Sequence, residues 1–374
     1  MSEYQATLGA LGMAMAVGIP TVLWGDPGEG KTSVIEATAA GLSYHLEVVI
    51  ASLREPADFA GLPVPDLAGR RMWLAPPDWA VRLVEAAAAG RRPAVFFDEI
   101  SCAAPATQAA LLRVCCDRVV GDLVLPAETV VLAAANPPSL AADGWDLAPP
   151  MANRFCHLDW RLPASVVADG FLDAFPDPVL PTLPAEMGGE LRRAKALVGA
   201  YLRARPTDVS VVPTDPAAGG RAFPTPRSWE YAARLLAACT ATGAGEDIRR
   251  RLIGGVVGDG AGLQFLHYLQ ALDLPDPEEA LADPAALELP ERGDQAYAVL
   301  SGIVAAVLAD RTPARWAAGV RAVARAADLG KPDVGAAAIR ALLRHRPTVD
   351  GVEAPIPAAV AGFAPVLRAA GLLT

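Results

Sequence analysis

Residues 25–32 read GDPGEGKT, a full match to GxxxxGK[ST], and they follow a short β-branched and apolar run, TVLW at 21–24, and precede the helix-compatible VIEATAAG. Glycines at this spacing let backbone N–H groups close around phosphate oxygens at a helix N-terminus. The candidate phosphate-binding residues are therefore Gly25, Asp26, Pro27, Gly28, Glu29, Gly30, Lys31, Thr32 and Ser33. Lys31 can reach β and γ phosphates, and the Thr32 hydroxyl can ligate Mg²⁺. Nucleotide binding is the first expectation.

Asp98 and Glu99 end a second apolar run, PAVFFDEI at 93–100, which lies 98 − 31 = 67 residues beyond the lysine. A carboxylate at the carboxyl end of a strand can join Thr32 in a Mg²⁺ shell, which makes Asp98 a candidate metal ligand. Its neighbour Glu99 can orient or activate a water, a task that mere binding does not need. The competing reading is an acidic cap, because DEISCAAP also looks like a helix start. Asn136 closes a further run, TVVLAAA at 129–135. An amide there can hydrogen-bond both a water and a γ-phosphate, whereas an Asn before a proline is by itself a turn residue.

These residues need elements that bring strand ends together. YHLEVVIA at 44–51 and FCHLDW at 155–160 read as additional strands, with helical stretches at about 32–41, 78–90 and 105–117 between the runs. Runs this apolar, alternating with helices, predict a parallel sheet buried on both faces. Two segments break the alternation with hairpin character: 62–77, and RVVGDLVLP at 118–126, which turns at Gly121-Asp122. Beyond Trp160 the pattern becomes amphipathic and helical, with a loose connection at 213–226.

Composition narrows the classes. The chain has 374 residues, enough for one large or two to three ordinary domains, and a formal net charge of −10. That charge argues against a broad footprint for DNA or RNA. No stretch approaches the roughly 18–20 apolar residues of a membrane span. The opening MSEYQATLGALGMAMAVGIP lacks a basic n-region and reads as a helix. Cys102, Cys115, Cys116, Cys156 and Cys239 contain no CxxC pair, and their number is odd, which fits a reducing cytoplasm better than a disulfide framework or a zinc site. His45, His157, His267 and His345 are scattered, without metal-ligand spacing.

The succession WGDPGEGKTS, FFDEISCAAPATQAALLRVCCDRVVGD, VVLAAANPP, MANRF and FPTPRSWE resembles the MoxR-like and dynein-related AAA+ ATPases, in order, over roughly residues 5–250. The resemblance implies an α/β AAA+ P-loop core, a parallel sheet between helices, over 1–160. It further implies an α-helical lid over 161–255, and leaves 256–374 as a C-terminal helical region without a role. Lys31 and Thr32 then correspond to Walker A, Asp98 and Glu99 to Walker B, and Asn136 to sensor 1. Arg154, in MANRF, corresponds to the arginine that projects toward the γ-phosphate of the next subunit, and Arg227 to a sensor 2 reaching the nucleotide from the lid. REPADFAGLPVP resembles the insert that lines the ring pore, and DRVVGD the hairpin before sensor 1. Glu99, Asn136, Arg154 and Arg227 are thus the catalytic candidates. The implied cofactors are ATP and Mg²⁺. The implied partners are copies of the chain in a ring, by resemblance a hexamer, a protein client, and a separate protein with a von Willebrand factor A domain. The alternatives are a nucleic-acid-directed motor, a slow-hydrolysing regulatory ring and, less favoured, a metal-chelatase motor subunit.

Overall fold

The computed structural model describes residues 2–65, 69–137, 144–173, 175–272, 274–349 and 351–369. Two compact units emerge, one formed by 1–183 and 209–263, the other by 184–208 and 264–374.

The first unit is built on five parallel strands: β1 (Thr21–Trp24), β2 (Tyr44–Ile50), β3 (Arg92–Asp98), β4 (Val130–Ala135) and β5 (Cys156–Asp159), in the order β2-β3-β4-β1-β5. Strands β1 and β4 are buried throughout, which explains their continuous apolar sequences. Their register pairs Trp24 with Ala135, and Phe97 on β3 with Ala133, so the carboxyl ends of β1, β3 and β4 lie level. Chain order reverses beside β1, and the crevice beyond the strand ends is where such sheets place ligands.

Helix α1 (Glu3–Val17) opens the chain as expected. Its capping box joins Ser2 and Gln5, and Gly18 ends it in the left-handed region. Helix α2 (Lys31–Gly41) follows the glycine-rich loop, α3 (Asp78–Ala88) leads into β3, and α4 (Pro105–Asp117) starts on a proline suited to a first helical turn. Beneath them Phe59, Trp79 and Phe97 pack as a trio, with ring centroids 5.9–6.4 Å apart and tilted to edge-on angles.

Both expected hairpins are present, as Leu62–Pro65 against Met72–Ala75 and Val119–Val120 against Leu123–Val124. Asp122 ties them together: its N–H donates to the Leu74 carbonyl at 3.0 Å and its carboxylate accepts from the Leu74 N–H at 2.8 Å. Residues 66–68 of the first hairpin, and Pro138 in the NPP run, lie outside the described residues.

The compact units run across the core and lid ranges that the resemblance implied, 1–160 and 161–255. Helices α5 (Pro226–Thr242) and α6 (Glu246–Val257) pack on the sheet unit. Gly255 sits so close to β5 that a Cβ there would lie 2.5 Å from the His157 carbonyl, while Arg234 donates to the Val17 carbonyl at 2.7 Å. The helix Gly188–Ala204 belongs instead to the second unit, beside Gly293–Ala309. That unit has its own core, which includes Trp316, Ile303, Leu342 and Phe363. Among the described residues no helix is long and apolar enough to cross a membrane.

Candidate functional site

The glycine-rich loop leaves β1 and turns into α2 through Gly30, whose φ of 73° lies in the left-handed region; Gly28 is similar at 81°. Gly25 is required for a different reason: a Cβ there would sit 2.7 Å from the Trp160 carbonyl oxygen. The Trp160 indole N–H in turn donates to the Glu29 carbonyl at 2.8 Å, so the end of β5 braces the loop on both sides.

Lys31 begins α2 and is 8% exposed. Its ammonium donates to three oxygens at 2.8 Å, the carbonyls of Gly25 and Asp26 and the side-chain oxygen of Asn136. Burial pulls its pKa below the ordinary 10.5, against the opposing charges of Asp98, Glu29, Asp26 and Glu99. The Thr32 hydroxyl donates to Asp98 Oδ2 at 2.7 Å. The tertiary fold thus brings Lys31, Thr32, Asp98 and Asn136, which span over 100 residues of sequence, into one hydrogen-bonded cluster.

Glu99 follows directly in a left-handed conformation, φ 55°, uncommon for a side chain of its size. Its N–H donates to Asp98 Oδ1 at 2.9 Å, and its Oε2 accepts from the Ser52 hydroxyl at 2.5 Å. Ser101 performs a matching task for Asn136: its hydroxyl donates to the Asn136 carbonyl at 3.1 Å and lies 3.0 Å from the Asn136 N–H. Neither serine was singled out by the sequence. Ser52 was hidden because it lies just past β2, and only the pairing of Ile50 with Asp98 brings it to Glu99.

A cleft of about 440 Å³ adjoins the loop, lined by residues that include Tyr4, Thr7, Gly25, Asp26, Glu29 and Arg221. Glu29 Oε2 is buried without a hydrogen-bond partner in the protein, an acceptor suited to a hydroxyl or amino donor. Opposite, Arg221 stacks 4.1 Å above the Trp24 ring and pairs with Asp159 at 3.0 Å.

The donor set also bears on metals. Thr32 and Asp98 supply hard oxygens, the ligand type that Mg²⁺ takes, and among the described residues no cluster of three or more His, Cys, Asp or Glu side chains is placed to hold a metal unaided. A cation here would need oxygens from water and phosphate, as nucleotide-bound Mg²⁺ does. Four carboxylates around one lysine would also repel a bare triphosphate, which a divalent ion offsets.

The two arginines lie elsewhere. Arg154 is half-buried, donates to the Pro150 carbonyl and lies at Cys116, near the C-terminal end of α4. Arg227, exposed in the first turn of α5, acts on the same thiol: burial pushes Cys116 up, and the charges of Arg154 and Arg227 pull it down. Cys116 lies 11 residues beyond Pro105, about 16 Å along the axis from the helix start that follows Asp98 and Glu99. The resemblance implied that Arg227 reaches a nucleotide from the lid; in the chain its charge, like that of Arg154, acts on Cys116.

No family model matches the chain, and no curated protein matches it. Among solved structures, a protein of Cytophaga hutchinsonii ATCC 33406 described as a "putative ATPase" is similar at 15% identity and a TM-score of 0.42, covering 67% of this chain and 80% of its own. A likeness of that extent leaves the reading to the chain's own geometry. The five parallel strands in the order β2-β3-β4-β1-β5, with the glycine-rich loop leaving β1 between β4 and β5 and a helix-rich remainder, form an α/β fold.

Proposed function

We propose that the chain is an AAA+ ATPase of MoxR-like type that hydrolyses ATP in a ring of its own copies to remodel a protein client. The observation that carries this reading is the assembled cluster in which Lys31 contacts Asn136 while Thr32 contacts Asp98. In it, the loop 25–33 would cradle the phosphates, with Lys31 reaching the β and γ groups, and Thr32 and Asp98 would hold Mg²⁺. The metal, when bound, neutralises charge on the phosphates. Glu99 activates the attacking water, and Asn136 orients it against the γ-phosphate.

Arg154 and Arg227 supply positive charge to the nucleotide of the neighbouring subunit. Their location at the far end of α4 from Glu99 supports this, since they stand apart from the chain's own lysine cluster. A guanidinium placed on the developing phosphoryl charge is worth about 10³–10⁵ in rate. The joined hairpins expose Leu62, Met72, Trp73 and Val124, a surface suited to an extended client. A separate protein with a von Willebrand factor A domain is the proposed partner, and the cytoplasm the proposed compartment.

The test is to follow ATPase rate per subunit against protein concentration and then to mix Lys31→Ala chains with Arg154→Ala chains, each inactive alone. The reading expects a rate that rises with concentration and activity that returns on mixing. A flat rate together with a fully active Arg154→Ala chain would sink it.

A further inference from the structure

Arg154 and Arg227 are 227 − 154 = 73 residues apart, yet one side chain joins the segments that carry them. Asn153, 5% exposed, donates its amide N–H to the Phe223 carbonyl at 2.8 Å and accepts the Thr225 hydroxyl at its amide oxygen at 2.7 Å. Thr225 is the N-cap of α5. Its side chain accepts from the Ser228 N–H at 3.2 Å, and the Ser228 hydroxyl accepts from the Thr225 N–H at 2.9 Å. The first turn of this capped helix contains Arg227. Asn153 therefore commits its donor to the segment leading into α5 and its acceptor to the cap, while its own backbone leads directly into Arg154.

The chemistry singles out an amide. An aspartate at 153 would keep the bond from Thr225 but set a second oxygen against the Phe223 carbonyl, two acceptors with no proton between them. Burial prevents water from relieving that mismatch.

We infer that Asn153 is a positioning residue that locks the Arg154 turn to the Arg227 helix, so that both guanidinium groups reach one neighbouring phosphate as a unit. This rests on the reading that both arginines act on a neighbour's nucleotide. Two long side chains aimed at one anion need fixed Cα positions, and a displacement of about 1 Å at a reacting centre can cost about 10² in rate. The tether supplies that constraint across 73 residues of chain, where local structure cannot.

The experiment uses the full chain with Asn153→Asp, Thr225→Val and Thr225→Ser, measuring kcat, KM and the Kd of a fluorescent ATP analogue. Asn153→Asp and Thr225→Val are expected to lower kcat about 10- to 100-fold with Kd held within about 2-fold, and Thr225→Ser to restore kcat. Adding Arg154→Ala to Asn153→Asp should cost far less than the product of the two single losses. Mixing Asn153→Asp chains with Lys31→Ala chains should restore activity, because the latter lend an intact arginine pair; mixing with Arg154→Ala chains should not. A wild-type kcat for Asn153→Asp, or losses that multiply, would overturn the inference while leaving the neighbour reading intact. If instead Lys31→Ala and Arg154→Ala chains fail to complement, the neighbour reading itself falls. Should Asn153→Asp not fold, the contrast between Thr225→Val and Thr225→Ser decides alone: equal kcat in the two overturns the inference.

Discussion

The strand-end cluster and the arginine face differ in how they settle their charges. At the strand ends Lys31 donates to three oxygens, Asp98 accepts from Thr32, and Glu99 accepts from Ser52. At the arginine face neither Arg154 nor Arg227 forms an ion pair with a carboxylate among the described residues, and Arg227 is exposed. A cluster that satisfies its own polar groups can assemble within one chain, because each partner offsets the desolvation of the others. Two guanidinium groups left without an ion pair can take an anion from outside, which is the role proposed for them.

The comparison can be broken at either end. The largest effect is expected from Glu99→Gln, which keeps the acceptor for Ser52 but removes the base: kcat should fall about 10²–10⁴-fold with nucleotide Kd unchanged, read by turnover assay and equilibrium binding. A Glu99→Gln chain that hydrolyses at the normal rate would remove hydrolytic chemistry from this cluster. Arg227→Ala should cost less, roughly 10- to 100-fold in kcat, again without weakening binding, since the residue stands apart from the chain's own loop. A weakened Kd with unchanged kcat would return Arg227 to the nucleotide of its own chain.

The smallest effect at neutral pH, and the one that sharpens the link between the two regions, concerns His157. The Trp24 indole N–H donates to His157 Nδ1 at 2.9 Å, so Nε2 carries the proton and donates to the Ala152 carbonyl at 2.8 Å. The ring thus connects the strand before the glycine-rich loop to the turn before Arg154. Burial lowers its pKa from 6.5 to about 4. Between these values the unfolded chain binds the proton and the folded chain does not, so stability is complete above about pH 6.5 and declines as pH falls toward 4. The decline is up to about 3 kcal/mol. Denaturant melts at a series of pH values should show this slope, and His157→Gln should flatten it.

Much of the strand-end cluster was legible. GDPGEGKT, the carboxylates closing PAVFFDEI and the Asn closing TVVLAAA each sit at the end of an apolar run, and in a parallel sheet such ends converge. The braces were not legible, because Ser52, Ser101 and Trp160 act through contacts between distant segments. The same holds for Asn153, adjacent to a marked arginine but given its purpose by a helix cap 72 residues on. The two units were also missed, since close packing at Gly255 and the departure of 188–204 to the second unit leave no periodic signal.

By itself the sequence determined the local chemistry: which loop can wrap a phosphate, which strand ends bear carboxylates, and that strands alternate with helices. These follow from residue types within a few positions of one another, where backbone preference and hydrophobic period act directly. Only the tertiary structure decided that Lys31 meets Asn136, that Ser52 holds Glu99, and that the charges of Arg154 and Arg227 both act on Cys116. Such pairings depend on strand order and on which helix packs on which strand, and those are set by the summed burial of the whole unit.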